Sequence, residues 1–235
     1  MSKAMTSIDA QLEEQKKQIL ERLKGLGGGS SMPRIKVKGR SFVLPDERKF
    51  TNTIQVVILD WAYHYNYYED DYVEGGESFP DCYAVGLTPG QMQPSQKAPN
   101  IQNDGPCATC PMNEFGSAKN GKGKACQNRI ALAVRVFEEG GQDNDMMFVS
   151  VSPTGLKHWG KYSRKLNEAG LVPAQVVTEI SFDEDSTYPV LKFGASREGT
   201  KALRKDREVM HEYLRDIAEA NRILLTEPEP PAEEE

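Results

Sequence analysis

The sequence predicts a mainly β domain with flanking helices, of the α+β class. Three observations carry this prediction. From Arg34 onward apolar residues alternate with polar ones in many short segments, and Thr53 to Tyr68 is a long β-branched and aromatic run free of Gly and Pro. Only one helix-period segment, Thr154 to Ala169, interrupts the later strand patterns. All four cysteines fall between residues 82 and 126, in a segment rich in Gly, Pro, Asn and Lys.

Taken in order, Ser7 to Leu26 reads as a helix with Ser7 as N-cap and Ile8, Leu12, Ile19, Leu23 and Leu26 as its apolar stripe. Gly25 to Ser31 is linker composition, so residues 1–31 form an appendage. The expected domain, 32–198, opens with short strands at Ile35–Val37 and Phe42–Leu44, then the long strand Thr53–Tyr68. Further strands are expected at Asp81–Gly86, Arg129–Phe137, Met146–Val151, Ala174–Phe182 and Tyr188–Phe193. Thr154 to Ala169 has an N-cap Thr, Gly170 behind it, and Leu156, Trp159, Tyr162 and Leu166 on one face. A C-terminal helix, 199–225, carries Leu203, Met210, Leu214, Ile217 and Leu224 as a stripe, and 226–235 is a disordered acidic tail with too little apolar surface to fold. The core order is then a long strand, a cysteine-bearing excursion, two strands, a helix and two strands. That is the order of an OB-like five-stranded barrel with an inserted zinc ribbon between its first two strands.

The formal net charge is −6, and it is unevenly spread. The last ten residues hold five glutamates, so the remainder carries about −1. Lys97 to Arg135 has six Lys/Arg against Asp104 and Glu114, and Lys157 to Lys165 has four and no acid. The cysteine segment is therefore the basic part of an acidic chain, as contact with a polyanion requires. No run is long and apolar enough to span a membrane, and the N-terminus lacks a signal-peptide profile, so no membrane partner and a cytoplasmic location are expected.

In such a reducing compartment four cysteines are metal ligands before they are disulfides. Cys107-Ala-Thr-Cys110 is a Cys-x2-Cys knuckle, and Cys82 and Cys126 complete a tetrahedral set. Structural Zn2+ is the expected cofactor, with a [4Fe-4S] cluster or unliganded thiols as alternatives. The stretch Gly116 to Gly123 falls short of a phosphate-binding P-loop because Gly123, not Ser or Thr, follows Lys122. Its lysines, Lys119, Lys122 and Lys124, remain suited to a phosphodiester backbone.

Trp61, Tyr63, Tyr65 and Tyr67 recur at period two and share a strand face, either a core ladder or a candidate platform for stacking bases. With Arg129 and Lys161 beside them, the candidate nucleic-acid contacts are Trp61, Tyr63, Tyr65, Lys119, Lys122, Lys124, Arg129 and Lys161. No catalytic residue is expected: His64, His158 and His211 lack partners at motif spacing, and no carboxylate cluster suits a two-metal nuclease.

The block Cys82…Cys107-x2-Cys110-Pro-x-Asn113-x2-Gly116-Ser-Ala…Gly121-Lys-Gly-Lys-Ala-Cys126, followed by Ser181-Phe-Asp-x-Asp-x2-Tyr188-Pro-x-Leu-x-Phe193, resembles bacteriophage single-stranded-DNA-binding proteins with a four-cysteine zinc motif. The layout is more distantly similar to zinc-containing OB domains of the replication protein A type. The resemblance implies a non-enzymatic protein that coats single-stranded DNA in phage replication or recombination. It also implies recruitment of replisome or recombination proteins through the acidic tail, although the tail ends in Glu235 where the pattern has an aromatic residue. The rival readings are a zinc-ribbon module that binds a host or replisome protein, and an iron-sulfur nuclease.

Overall fold

A β-bulge in the longest strand sets the layout of this protein. The computed structural model describes residues 33–70, 79–138, 141–142, 145–205, 217, 220–221 and 223–228. The expected helix and linker at 1–31 and most of the tail lie outside these residues. Among the described residues ten strands form, β1 (Lys36–Lys38), β2 (Ser41–Val43), β3 (Lys49–Thr51), β4 (Thr53–Tyr67), β5 (Cys82–Gly86), β6 (Gln127–Glu138), β7 (Gly141–Gln142), β8 (Met147–Val151), β9 (Val177–Phe182) and β10 (Leu191–Ala195). Two helical segments, α1 (Leu156–Glu168) and α2 (Arg197–Lys205), join them, and Ile217, Ala220, Asn221, Ile223 and Leu224 are also helical. The fold is mostly β, in open antiparallel sheets, with helices flanking them. No helix among the described residues is long and apolar enough to cross a membrane.

β4 is the central strand. One edge pairs with β6 along most of its length, and the other pairs with β9 over Thr53–Val57 and with β5 over Tyr63–Tyr67. β10 extends the sheet from β9 and β8 from β6, giving the order β10-β9-β4-β6-β8 with α1 between β8 and β9 in sequence. A closed barrel would also need β8 to meet β10, and among the described residues that pairing is absent. The expected OB-like five-stranded barrel is thus not closed among the described residues, for a local reason. The free edge of β8 is taken at Phe148, which accepts a hydrogen bond from the Ile35 amide and donates to the Pro33 carbonyl, both 2.9 Å. The small sheet β1-β2-β3 follows this contact and sends Phe42 into the core, stacked on Phe182 at 4.7 Å between centroids.

Each face of the main sheet has its own cover. On one face Ile54, Val56, Ile58, Ile130, Leu132 and Val134 pack with Trp159, Tyr162 and Leu166 of α1. On the other, Val57, Leu59, Ala62, Ala133 and Val177 pack with Leu203 of α2 and with Ala220 and Leu224. Burying an aliphatic side chain stabilises by roughly 1.5–3 kcal/mol, so Leu203 and Leu224 each help hold this face. Pro33–Glu227 accordingly form one unit.

The register of β4 against β6 slips between Ile58 and Asp60. An extra residue in one strand flips the alternation beyond it. Before the bulge even-numbered residues face α1; after it odd-numbered ones do, and Trp61 and Tyr63 therefore join the α1-side core. Asp60 fixes the bulge. Its carboxylate accepts the Trp61 amide at 2.8 Å and the Asn221 side-chain amide at 2.9 Å.

Candidate metal centre and its basic loop

The four cysteines converge at the far end of β4. Cys82 opens β5 directly opposite Tyr67, and Cys126 immediately precedes Gln127, which pairs with Asn66 on the other edge. Cross-strand partners share a face, so these two thiols flank Tyr67 from neighbouring strands. Cys107 and Cys110 come from the insertion. Cys107–Thr109 and Pro111–Asn113 are consecutive 3-10 turns, anchored by the Cys107 amide on the Met92 carbonyl (3.0 Å) and the Cys126 amide on the Met112 carbonyl (2.8 Å).

All four thiols line one cavity, together with Tyr65, Tyr67, Met112 and Asn113. Burial, then the neighbouring thiols Cys82 and Cys110, pushes the Cys107 thiol up to about 11. Burial followed by the other three cysteines pushes Cys126 up to about 12, and burial is also the main cause raising Cys82. Thiols that oppose one another's ionisation in this way are close in space. Among the described residues, however, no three His, Cys, Asp or Glu side chains are closed around a common point as a finished metal cage. Convergence on one cavity and closure on one point are different conditions. Neutral thiols have no attraction for a shared centre. The donor set, four sulfurs from two strands and a Cys-x2-Cys knuckle, has the chemistry of a structural Zn2+ site.

Asn113 organises the region. Its side-chain amide donates to the Cys107 carbonyl at 2.7 Å, while its oxygen accepts from Lys124 Nζ and from the Asn128 amide, both at 3.0 Å. One side chain thus ties the knuckle, the lysine loop and β6 together. The loop is closed by the Gly116 amide on the Gly123 carbonyl (2.6 Å), and Ser117 Oγ accepts the Ala125 amide at 2.9 Å. Gly116 and Gly123 have φ of +97° and +84°, where a Cβ would be strained, so the spacing of glycines reflects the loop's path.

The expected nucleic-acid contacts separate into three groups. Lys119 and Lys122 are exposed on the loop and Lys124 is half-buried beside it, with Lys119 within Coulombic reach of the Tyr67 hydroxyl. Lys161 is exposed on α1, on the same outer side as Lys157, Arg164 and Lys165. Arg129 does not join either group. Opposite His64, it lies on the face away from α1, where it holds Gln127 Oε1 at 3.2 and 2.7 Å.

The aromatic row lies against the core. Tyr65 is only 7% exposed and lines the thiol cavity. Trp61 meets Trp159 edge to face at 5.4 Å, and Tyr63 bridges the main core to the cluster of Tyr65, Ala84, Met92 and Cys107. The bulge puts the row on the α1 side of a sheet covered on both faces, so Tyr65 is buried and Trp61 and Tyr63 are half-buried between α1 and the cysteine module.

Two features were not anticipated. Phe115, at the tip of the cysteine loop, is 84% exposed, and Lys124 Nζ sits 5.3 Å from its ring centroid. A lone aromatic among Gly, Asn and Lys was its only signal in the sequence. His158, on α1, lies 3.3 Å from Asp183, which Lys192 also approaches at 3.7 Å; this cluster ties α1 to the β9–β10 turn. His64 is half-buried and hydrogen-bonded to the Leu224 carbonyl at 3.0 Å, while His211 lies outside the described residues. At the start of the tail Glu227 pairs with Lys97 of the insertion at 3.6 Å. No protein-family model matches this chain, and neither a curated protein nor a solved structure matches it.

Proposed function

We propose that this chain is a non-enzymatic single-stranded-DNA-binding protein of phage replication or recombination, in which Zn2+ held by Cys82, Cys107, Cys110 and Cys126 braces a phosphate-contacting loop. The observation that carries the reading is the union of four cysteines around one cavity, tied through Asn113 to a glycine-spaced loop bearing Lys119, Lys122 and Lys124. When bound, the ion would supply a fixed tetrahedral anchor and draw off the thiol protons. The protein's own contribution is the rest: Asn113 couples the anchor to Lys124, and Lys119 and Lys122 reach solvent.

An OB-like layout supports the same reading. The order β10-β9-β4-β6-β8, with a helix between the third and fourth of these strands in sequence, has the pairings of an OB barrel with one seam left open. In that layout the cysteine module is the loop between the first two strands, one of the two loops with which OB folds hold oligonucleotides. The sheet face away from α1 is covered by Leu203, Ala220 and Leu224, which argues for contacts through the loop and the basic side of α1. The acidic tail would dock replisome or recombination proteins, and its first glutamate already pairs with Lys97 of the insertion.

A zinc-ribbon module that binds a protein partner is favoured by one observation, the inward aromatic row. Against it, Leu203 and Leu224, the buried members of the C-terminal stripe among the described residues, pack on the sheet. The deciding experiment measures metal content and fluorescent oligo-dT binding on one sample. About one zinc per chain with binding at low salt supports the proposal, absence of single-strand binding at low salt overturns it, and a brown protein that cuts DNA in a metal-dependent way favours the nuclease.

A further inference from the structure

Among the large apolar side chains identified as exposed, Phe115 stands out at 84%; Tyr188 follows at 77%, while Leu87, Val172 and Leu225 are between 36% and 50%. A single exposed apolar residue needs no explanation by itself. Phe115 is different because of how it is held. Hydrogen bonds tie down the loop on both sides of it, from Gly116 to Gly123 across its neck and from Cys126 to Met112 at its base. Ser117 Oγ lies 2.7 Å from the Glu114 carbonyl, next to the ring, and Asn113 fastens the preceding turn to the knuckle. The ring is thus carried outward on a fastened loop.

Its chemical surroundings narrow what it could meet. Lys124 Nζ lies over the ring at 5.3 Å, held there by Asn113 Oδ1 at 3.0 Å. A cation occupies one face of a ring, and the high exposure leaves the other face open. Lys119 and Lys122 are exposed in the residues that follow. An open aromatic face beside several ammonium groups matches a planar group attached to a phosphate chain. An apolar protein surface would have to desolvate these lysines to reach the ring.

We infer that Phe115 is the base-stacking residue of the cysteine loop, taking one nucleobase on its free face while Lys119, Lys122 and Lys124 hold the neighbouring phosphates. This rests on the single-stranded-DNA reading and deepens it, since it replaces the inward row Trp61–Tyr65 with one outward ring. Stacking is sequence-tolerant, because every base has a π-face.

The test compares full-length protein with fluorescent oligo-dT and with an abasic oligonucleotide of equal length. Wild type should bind oligo-dT about tenfold more tightly than the abasic strand, the scale of one stacked base. Phe115→Ala should bind oligo-dT about tenfold more weakly, bind the abasic strand as wild type does, and so lose the difference. Phe115→Trp should keep the affinity and show tryptophan quenching on binding. If wild type binds both strands equally and Phe115→Ala changes neither, DNA binding stands and the stacking role is overturned. An equal loss on both strands overturns it too, because the substitution would then act through the loop. If wild type binds neither strand, both the stacking role and the DNA reading fall.

Discussion

Trp61 packs edge to face on Trp159 with ring centroids 5.4 Å apart, on the same side of the sheet as Val56 and Ile58. That contact exists because the bulge at Ile58/Asp60 reverses the alternation of β4. Trp61 is therefore expected to serve stability. Trp61→Ala should cost on the order of 3 kcal/mol in denaturant unfolding, within the range for aromatic truncation. Oligo-dT affinity of the folded variant should be unchanged; a large loss of affinity with stability intact would restore Trp61 to the DNA interface.

Asp60 should couple measurably to Asn221. The carboxylate receives both the Trp61 amide at the bulge and the Asn221 side chain at 2.9 Å. Asp60→Ala should destabilise by about 1–3 kcal/mol, the cost of removing a partner from part-buried donors. A double-mutant cycle with Asn221→Ala should return a coupling of at least about 0.5 kcal/mol. Strict additivity would mean that the C-terminal segment does not hold the bulge.

His64 predicts acid sensitivity. Burial lowers its pKa, Arg34 lowers it further, and the hydrogen bond to Leu224 raises it without prevailing. The folded value lies below the unfolded one of about 6.5, so the histidine's contribution is present above that pH and is lost as pH falls through the folded value. Denaturant melts between pH 8 and 5 should therefore weaken toward acid. His64→Gln, which keeps an amide donor for Leu224, should flatten that component of the loss.

The cysteines predict the opposite trend in metal-free protein. Cys107 and Cys126 are pushed up to about 11 and about 12, so the fold favours the protonated thiols. Their contribution is present below the unfolded value of about 8.5 and is lost as pH rises toward the folded values. Chelated protein should lose stability above about pH 8.5, and zinc-loaded protein should not show this component, because the ion holds the thiolates. Identical alkaline profiles with and without zinc would contradict a four-thiolate site.

Asn113 should act through the loop it organises. Asn113→Ala removes its links to Cys107, Lys124 and Asn128, so zinc should be released faster to a chelator and stability should fall by about 1–3 kcal/mol. Unchanged zinc release would leave Asn113 a local turn residue.

Much of this architecture was legible in the residues. The gap-free run Thr53–Tyr68 became β4, and the stripe of Trp159, Tyr162 and Leu166 became the buried side of α1, because strand and helix periods are local properties. Cysteine spacing announced the shared cavity for a similar reason, since only a few chain paths bring a knuckle to two strand ends. Period two puts Trp61, Tyr63 and Tyr65 on one face, but a core ladder and an open platform have the same period, so their burial was not legible. Which face they share depends on the bulge at Ile58/Asp60, and nothing in Ile58-Leu59-Asp60 marks it until Asn221 is known to reach Asp60. The open seam was hidden for the same kind of reason: it depends on Pro33–Ile35 meeting Phe148, residues far apart in sequence. Phe115 was overlooked because one phenylalanine has no period.

The most direct measurement is the salt dependence of oligo-dT affinity, taken for wild type and for Lys119/Lys122/Lys124→Ala at matched zinc content. Three phosphate contacts on a single strand should reduce the slope of log K against log salt by about 2 in magnitude, at roughly 0.7 per phosphate. A slope that is shallower by that amount, with most of the low-salt affinity gone, is the predicted result. Equal slopes and equal affinities for the two proteins would contradict a DNA-binding role for the cysteine loop.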